Sequence, residues 1–345
     1  MVASLIYDSR LSELTTLLAS WDEPGYRAIQ LWQGLYQHFW DSPEQFTNLP
    51  VHLRQKLAGD FSFTALTPVT TLISSDHQTV KTLFKLTDGQ AIETVLMRYK
   101  ERRTICISTQ VGCAMGCVFC ATGQMGFKRH LSSGEIVAQV LHYARLLHEE
   151  GVGITNVVVM GMGEPFHNYE NTMNAVDRLN DTEGFNLGAR RFTISTVGLI
   201  PAILRFTLEK RQINLAISLH AADDTLRASM LPINNTYPLD DLLAACHDYV
   251  MTTRRRITFE WALVNGINDT PEQAHLLAGK LKGLLCHVNA IPLNQTKGYS
   301  GEATTTSRAN AFKKILNGYS ISCTLRLRRG IDIQAGCGQL AVISK

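Results

Sequence analysis

No stretch of this 345-residue chain is apolar for long enough to cross a bilayer, so a helical membrane protein is not expected. The segment from Met1 to Asp8 has no basic residue and meets an acid early, which argues against a secretory leader. No internal repeat and no low-complexity tract is present, so nothing marks a repeat protein or a disordered one. An excess of one charge is also missing: 33 basic against 30 acidic side chains leave a formal net charge of +3, too little to define a partner. The 8 cysteines do not read as a disulfide framework, because three of them crowd into one short segment of a long chain. That usage fits a reducing cytosol and a cytoplasmic location.

What is present supports a large core. With 45% hydrophobic residues the chain can form one large domain and a smaller appendage. Residues 1–65 predict a small helical module: Leu11, Leu14, Leu17 and Leu18 recur at helical spacing, a second helix follows Pro24, and a third begins near Pro50. Residues 66–100 predict a short β connector, with a hairpin turn at Asp88-Gly89. From 101 to 345 apolar strands alternate with amphipathic helices. Strands are predicted at 104–108, 154–160, 191–195, 213–219, 256–263 and 286–291, and a last one over Ser320–Leu327. Helices are predicted at 132–149, 169–180, 199–209, 238–251, 271–282 and 304–317. Six strand–helix units indicate an α/β fold with a parallel, partly closed (β/α)6 barrel.

The densest chemical signal is Cys113-Ala-Met-Gly-Cys117-Val-Phe-Cys120. A structural metal site usually has four protein ligands. Three thiols with no evident fourth indicate a [4Fe-4S] cluster with one iron open to an outside ligand. Zinc with a distant fourth ligand, or three packed thiols, are the alternatives. The spacing, with an aromatic before the last cysteine, resembles that of the radical S-adenosylmethionine (SAM) superfamily.

Parallel barrels carry their chemistry at the carboxyl ends of the strands, and the remaining motifs fall there. Gly161-Met-Gly163-Glu164-Pro165 follows the second strand; its glycines are turn formers or bare backbone for a ligand, with Glu164 facing a cationic group. Ser195 follows the third strand and could cap the next helix. Ser218-Leu219-His220 closes the fourth, where His220 could be a packed core histidine, and Asn294 after the sixth could form a turn. Taken together they form a polar socket for one ligand. Cys337 lies between Gly336 and Gly338, unlike Cys246, Cys286 and Cys323, which sit in apolar alternations and read as core. Its open setting suits a reactive thiol. Cys106 alternates with Ile105 and Ile107 and could point into the barrel or pack. Glu93 interrupts an apolar strand; it is either exposed on an edge or a partly buried base with a raised pKa.

Basic residues cluster at Arg98–Arg103, Lys128–His130, Arg190-Arg191, Arg254–Arg256 and Arg326–Arg329. Each cluster alone is an ordinary solvated surface; five around one site favour a nucleic-acid substrate.

Taken in order, Cys106 to Gly123, the Met160–Pro165 block, Ile217–His220, Met230–Asn234 and Cys337-Gly-Gln-Leu resemble the RlmN/Cfr family of radical SAM RNA methyltransferases, over nearly the whole chain. The resemblance implies that Cys113, Cys117 and Cys120 hold the cluster and that Gly163, Glu164, Ser195, Ser218, Leu219, His220 and Asn294 contact SAM. It implies that Cys337 carries the methyl group, that Glu93 removes the ring proton, and that Cys106 releases the adduct by a disulfide with Cys337. It further implies 23S rRNA and tRNA substrates, an electron donor such as flavodoxin or ferredoxin, and a monomer. Pro165 and the Gln110–Cys113 run lean toward RlmN-type methylation of adenosine carbon 2 over Cfr-type methylation of carbon 8. One departure is Gly336, where alanine is commoner in the family. A radical SAM enzyme on a small molecule, and a zinc-stabilised RNA-binding protein, are the competing classes.

Overall fold

A computed structural model describes residues 4–341. Met1–Ala3, part of the segment read for a leader, and residues 342–345 lie outside it. Among the described residues one sheet of ten strands dominates. Its first three strands are antiparallel: β1 (Leu66–Ile73), β2 (Thr79–Leu86) and β3 (Ala91–Arg98). Seven parallel strands follow: β4 (Arg103–Cys106), β5 (Asn156–Val159), β6 (Phe192–Thr196), β7 (Asn214–Ser218), β8 (Ile257–Leu263), β9 (Cys286–Pro292) and β10 (Cys323–Leu325). The strands pair in the order in which they occur in the chain. The β2–β3 turn closes at Gly89, whose φ of 84° is open to glycine, with Leu86 N–H bonded to Gln90 O at 2.8 Å.

Three helices, α1 (Leu11–Ser20), α2 (Tyr26–Tyr36) and α3 (Val51–Asp60), form the N-terminal module. Six more cross over between the parallel strands: α4 (Ser133–Glu149), α5 (Tyr169–Asn180), α6 (Ile200–Glu209), α7 (Leu239–Thr253), α8 (Pro271–Leu281) and α9 (Thr306–Gly318). Each of the first six parallel strands is therefore followed by its predicted helix. Helix α4 starts at a capping box, in which Ser132 Oγ accepts from Glu135 N–H and Glu135 accepts from Ser132 N–H at 2.9 Å. The module is tied to this helix start: Asp8 Oδ1 accepts from Gly134 N–H at 2.7 Å.

Strand alternation sorts side chains into two environments. Ile105, Val157, Ile194, Leu215, Phe259 and Val288 point toward the helices and are buried. Residues of the opposite parity, among them Ser195, Ser218, Glu260 and Ile291, face the other way and line a cavity. The register places Ser218, Glu260 and Asn289 side by side across β7, β8 and β9.

Two details differ from expectation. The last strand is shorter than Ser320–Leu327: after Arg326 N–H bonds Ala290 O at 2.9 Å, the chain leaves the sheet. A two-stranded hairpin, Gln110–Gly112 with Phe127–His130, brackets the cysteine segment where no strand was read. No helix among the described residues is long and apolar enough to cross a membrane.

Trp261 is fully buried on β8, packs against Phe312 of α9 and donates its indole N–H to Asn268 O at 3.2 Å. Trp261→Ala is expected to cost about 3–5 kcal/mol in urea unfolding; a loss below about 1 kcal/mol would show that the β8–α9 contact does not stabilise the fold.

Candidate active site

The cysteine segment crosses the carboxyl ends of the parallel strands and closes one side of an open cavity. Cys113, Cys117 and Cys120 all line it, with Gly163, Glu164, Ser195, Ser218, His220, Asn294 and Cys337. The structure thus brings together ten of the residues singled out from the sequence. Leu219 sits between two of them, but its side chain is buried; its N–H bonds Glu260 O at 3.1 Å. Cys246, Cys286 and Cys323 are buried core thiols, as expected.

Gly163 has a φ of 100°, and a Cβ there would lie 2.5 Å from Gln110 Cβ. Only glycine permits this turn against the Gln110 strand. The turn delivers Glu164 to the cavity wall. One carboxylate oxygen accepts from Phe166 N–H at 3.0 Å and the other from Val197 N–H at 2.9 Å. Burial nevertheless pushes its pKa up to about 7, against those two bonds. A cationic ligand would offset that cost. Ser195 does not cap a helix: α6 is preceded by Leu199, and Ser195 Oγ faces Ser218 Oγ at 3.3 Å. His220 has a φ of 59°, accepts from Ala262 N–H through Nδ1 at 2.9 Å, and is driven down to a pKa of about 3 by burial and by Arg227, so it is a neutral acceptor.

The donor set fits an iron–sulfur group. Burial, then Cys120 and Cys113, push the Cys117 thiol well above its ordinary range, so the bare thiolates repel one another in a dry setting. A positively charged iron core relieves that repulsion. Asn294 Oδ1, in the same wall, is buried without a hydrogen-bond partner among the described residues, which suits a ligand donor. Among the described residues no three His, Cys, Asp or Glu side chains close on a single ion; the three thiols stand around the cavity wall.

The chain after Gly330 folds back over this cavity. Ala121 N–H bonds Gly338 O at 2.7 Å, Thr122 Oγ bonds Leu340 O at 2.6 Å, and Asn294 Nδ2 bonds Cys337 O at 3.1 Å. Cys337 is solvent-exposed because it opens onto cavity space, yet enough protein surrounds it for burial to raise its pKa. A second cavity adjoins the first and is lined by both Cys337 and Cys106. Cys106 points inward from β4; burial, then the Cys337 thiol, push its pKa up. Glu93 lines neither cavity. It is buried on β3, paired with Lys81 at 2.9 Å, and accepts from Ala341 N–H at 3.0 Å. Burial raises its pKa and Lys81 opposes the rise. The edge-strand alternative for Glu93 is therefore corrected: β2 and β4 cover both sides of β3.

Sequence reasoning missed Arg227 and Glu260. Arg227 is fully buried and donates to Val197 O, Leu219 O and Asn234 Oδ1 at 2.7, 3.2 and 2.8 Å, tying the β6–α6 connection to its own β7–α7 connection. Nothing in its sequence setting separates it from an exposed helix arginine. Glu260 was legible by the signal that marked Glu93, a carboxylate inside an apolar strand. Its Oε2 accepts from Asn289 Nδ2 at 2.6 Å, and burial lifts its pKa to about 7.

This fold and this thiol-lined cavity define a radical SAM protein. A family model described as the Radical SAM superfamily matches residues 107–277, and one described as the ribosomal RNA large subunit methyltransferase N-terminal domain matches residues 6–62. The chain belongs to the RlmN family. It is 50% identical to "Dual-specificity RNA methyltransferase RlmN 1" of Myxococcus xanthus, over 97% of this chain and 93% of the relative. It is 49% identical to "Probable dual-specificity RNA methyltransferase RlmN" of Chloroflexus aurantiacus, over 97% of this chain and 92% of the relative. The crystal structure of a radical SAM methyltransferase from Sphaerobacter thermophilus superposes with a TM-score of 0.96 at 50% identity, covering 98% of this chain and 99% of that one. Membership in the superfamily implies SAM and an iron–sulfur cluster as cofactors.

The folded pKa of Glu260, about 7, lies above its ordinary 4.5, so the folded chain holds this proton more tightly than the unfolded one. The stability this confers is complete below pH 4.5 and is lost as pH rises through about 7. Glu260→Gln is therefore expected to flatten the pH dependence of urea unfolding between about pH 5 and about pH 8, by at most about 3 kcal/mol. Identical pH profiles for variant and wild type would show that Glu260 pays no burial penalty.

Proposed function

We propose that this chain is a radical SAM methyltransferase acting on RNA, and that it methylates carbon 2 of one adenosine in 23S rRNA and of one in the tRNA anticodon loop. One observation carries the reading: Cys337 stands in the wall shared by two cavities, one lined by the cysteine segment and the polar socket, the other by Cys106. A thiol so placed can take a group from one side and deliver it on the other. The names of the relatives and of the N-terminal domain family support RNA as the acceptor.

A [4Fe-4S] cluster on Cys113, Cys117 and Cys120 would supply the electron that splits SAM into a carbon radical, the reactivity that a non-nucleophilic ring carbon requires. The polar socket would hold SAM: the Gly163 turn lines it, Glu164 would face the ammonium, and Ser195, Ser218, His220, Asn294 and the backbone at Leu219 would surround the rest. Cys337 takes up a methyl group on sulfur and presents its carbon to the adenine. Glu93 accepts the ring proton; burial raises its pKa toward the range of a useful base. Ala341 N–H occupies one Glu93 oxygen, so this role requires the segment to lift away. The Cys106 thiolate would attack the Cys337 sulfur: an S–S bond forms, the Cys337 S–C bond breaks with its electron pair leaving on carbon, and that carbon takes a proton to become the methyl group of the freed RNA.

The helical module of residues 1–65 serves as an RNA-binding accessory domain, residues 66–100 connect it, and residues 101–345 form the catalytic core. A flavodoxin or ferredoxin delivers the electrons to a monomeric enzyme.

Nucleosides from RNA treated with the reconstituted enzyme and SAM under anaerobic conditions should contain 2-methyladenosine by mass spectrometry; 8-methyladenosine in its place would assign Cfr-type chemistry, and no methylated adenosine would remove the RNA reading. Cys337→Ala should abolish the product with iron and sulfide content unchanged, and any surviving product would end the thiol's carrier role. Cys106→Ala should accumulate a protein–RNA adduct on a denaturing gel; free product alone would contradict the release step.

A further inference from the structure

Lys81 and Glu93 form an ion pair inside the protein: Lys81 Nζ lies 2.9 Å from Glu93 Oε1, and both residues are buried. The strand register explains how they meet. Leu83 of β2 stands opposite Glu93 of β3, and Lys81 stands opposite Val95, so the lysine reaches the carboxylate diagonally on one face of the sheet. The pair also touches the C-terminal segment on both sides of Cys337. Lys81 Nζ donates to Gln334 O at 3.1 Å, and Glu93 Oε2 accepts from Ala341 N–H at 3.0 Å. The two carboxylate oxygens thus have different partners, an ammonium on Oε1 and one backbone amide on Oε2. Beyond β4, Ser108 Oγ donates to the Glu93 backbone carbonyl at 2.7 Å, not to the carboxylate. Among the described residues no charged or titratable side chain other than Lys81 acts on Glu93.

A buried carboxylate without a counter-charge keeps its proton and cannot serve as a base. A base also needs a lone pair within reach of the proton it removes. Lys81 meets the first need on one oxygen, and Ala341 N–H blocks the second on the other while the segment is in place. We propose that Lys81 is the positioning residue of the proton acceptor: it grips Oε1 and supplies the counter-charge, so that Oε2 is the atom that takes the ring proton, and Oε2 becomes free only when the segment carrying Cys337 lifts. In that step the ring C–H bond breaks, its electron pair stays on the ring, and the proton ends on Oε2. A lift that includes Gln334 also takes a partner from Lys81 and leaves its ammonium to Glu93. Uncovering the base and moving the thiol are then one event. The assignment rests on the reading of Glu93 as the base, and adds to it the lysine and the choice of oxygen.

The test uses the anaerobically reconstituted holoenzyme with SAM and RNA, and reads the single-turnover rate of methyladenosine formation by mass spectrometry across a pH series. Lys81→Met should slow the reaction about tenfold or more at about pH 6.5 and much less at about pH 8.5, because Glu93 without its partner stays protonated at the lower pH. Lys81→Arg, which keeps the charge, should recover most of the wild-type profile. Lys81→Gln keeps a hydrogen-bond donor and drops the charge; it should behave as Lys81→Met does, and it replaces that variant if the methionine protein does not fold. Lys85→Gln, at an exposed position of the same strand, should match wild type. Iron content and SAM affinity report that each protein is folded with its first cavity intact. Equal slowing at both pH values in the uncharged Lys81 variants, or a profile that superposes on wild type, would overturn the lysine's role while an inactive Glu93→Gln keeps the base reading. A wild-type rate from Glu93→Gln, or no methyladenosine from the wild type, would remove the base reading itself, and this proposal with it.

Discussion

The segment from Gly336 to Ala341 is sewn onto the cysteine segment by Ala121 N–H and Thr122 Oγ, onto the end of β9 by Asn294, and onto β3 by Glu93. Every functional assignment depends on that attachment. Without it Cys337 would not stand between two cavities, and the cysteine segment would lose one of its walls. The bonds are few, and each ends on backbone. That suits a segment that holds a thiol in position at rest and can be displaced at modest cost, about 1 kcal/mol for each hydrogen bond.

The electrostatics of the first cavity follow from dryness. Glu164 and Glu260 are both raised to about 7, His220 is lowered to about 3, and Arg227 is lowered to about 10, in every case with burial as the largest cause. Carboxylates that cost this much to ionise in place gain most from a cation that enters with the ligand. Arg227 meets its own cost with three acceptors, one from the β6–α6 connection and two from its own β7–α7 connection, which is why a fully buried arginine is tolerated here.

Much of this was legible in the residues themselves. The parallel strands and crossover helices were readable because each carries a strong period, two for strands and 3.6 for helices, bounded by turn residues. The cysteine spacing announced its chemistry because thiols rarely crowd by chance. The hairpin from Gln110 was not legible, since its strands are short and one of them is charged (Phe127-Lys-Arg-His130). The burial of Glu93 was open because a strand's neighbours cannot be read from its own sequence; β2 and β4 decide it. Arg227 was invisible for the same reason, as its partners come from loops 7 to 30 residues away. The placement of Cys106 and Cys337 on one cavity was foreseen only through the family resemblance, because 231 positions separate them and only the fold brings them to the same wall.

The sheet's strands pair in chain order, and that bears on how the protein is made. Each new strand can dock on an edge already formed, so the sheet can assemble progressively as the polypeptide leaves the ribosome. The socket lined from Gly163 to His220 would then take shape well before Cys337 is translated. A nascent or prematurely stopped chain could therefore hold the cysteine segment and the polar socket without Cys337 and the wall that its segment supplies. Biogenesis is thus safest when cofactor insertion waits for the full-length product.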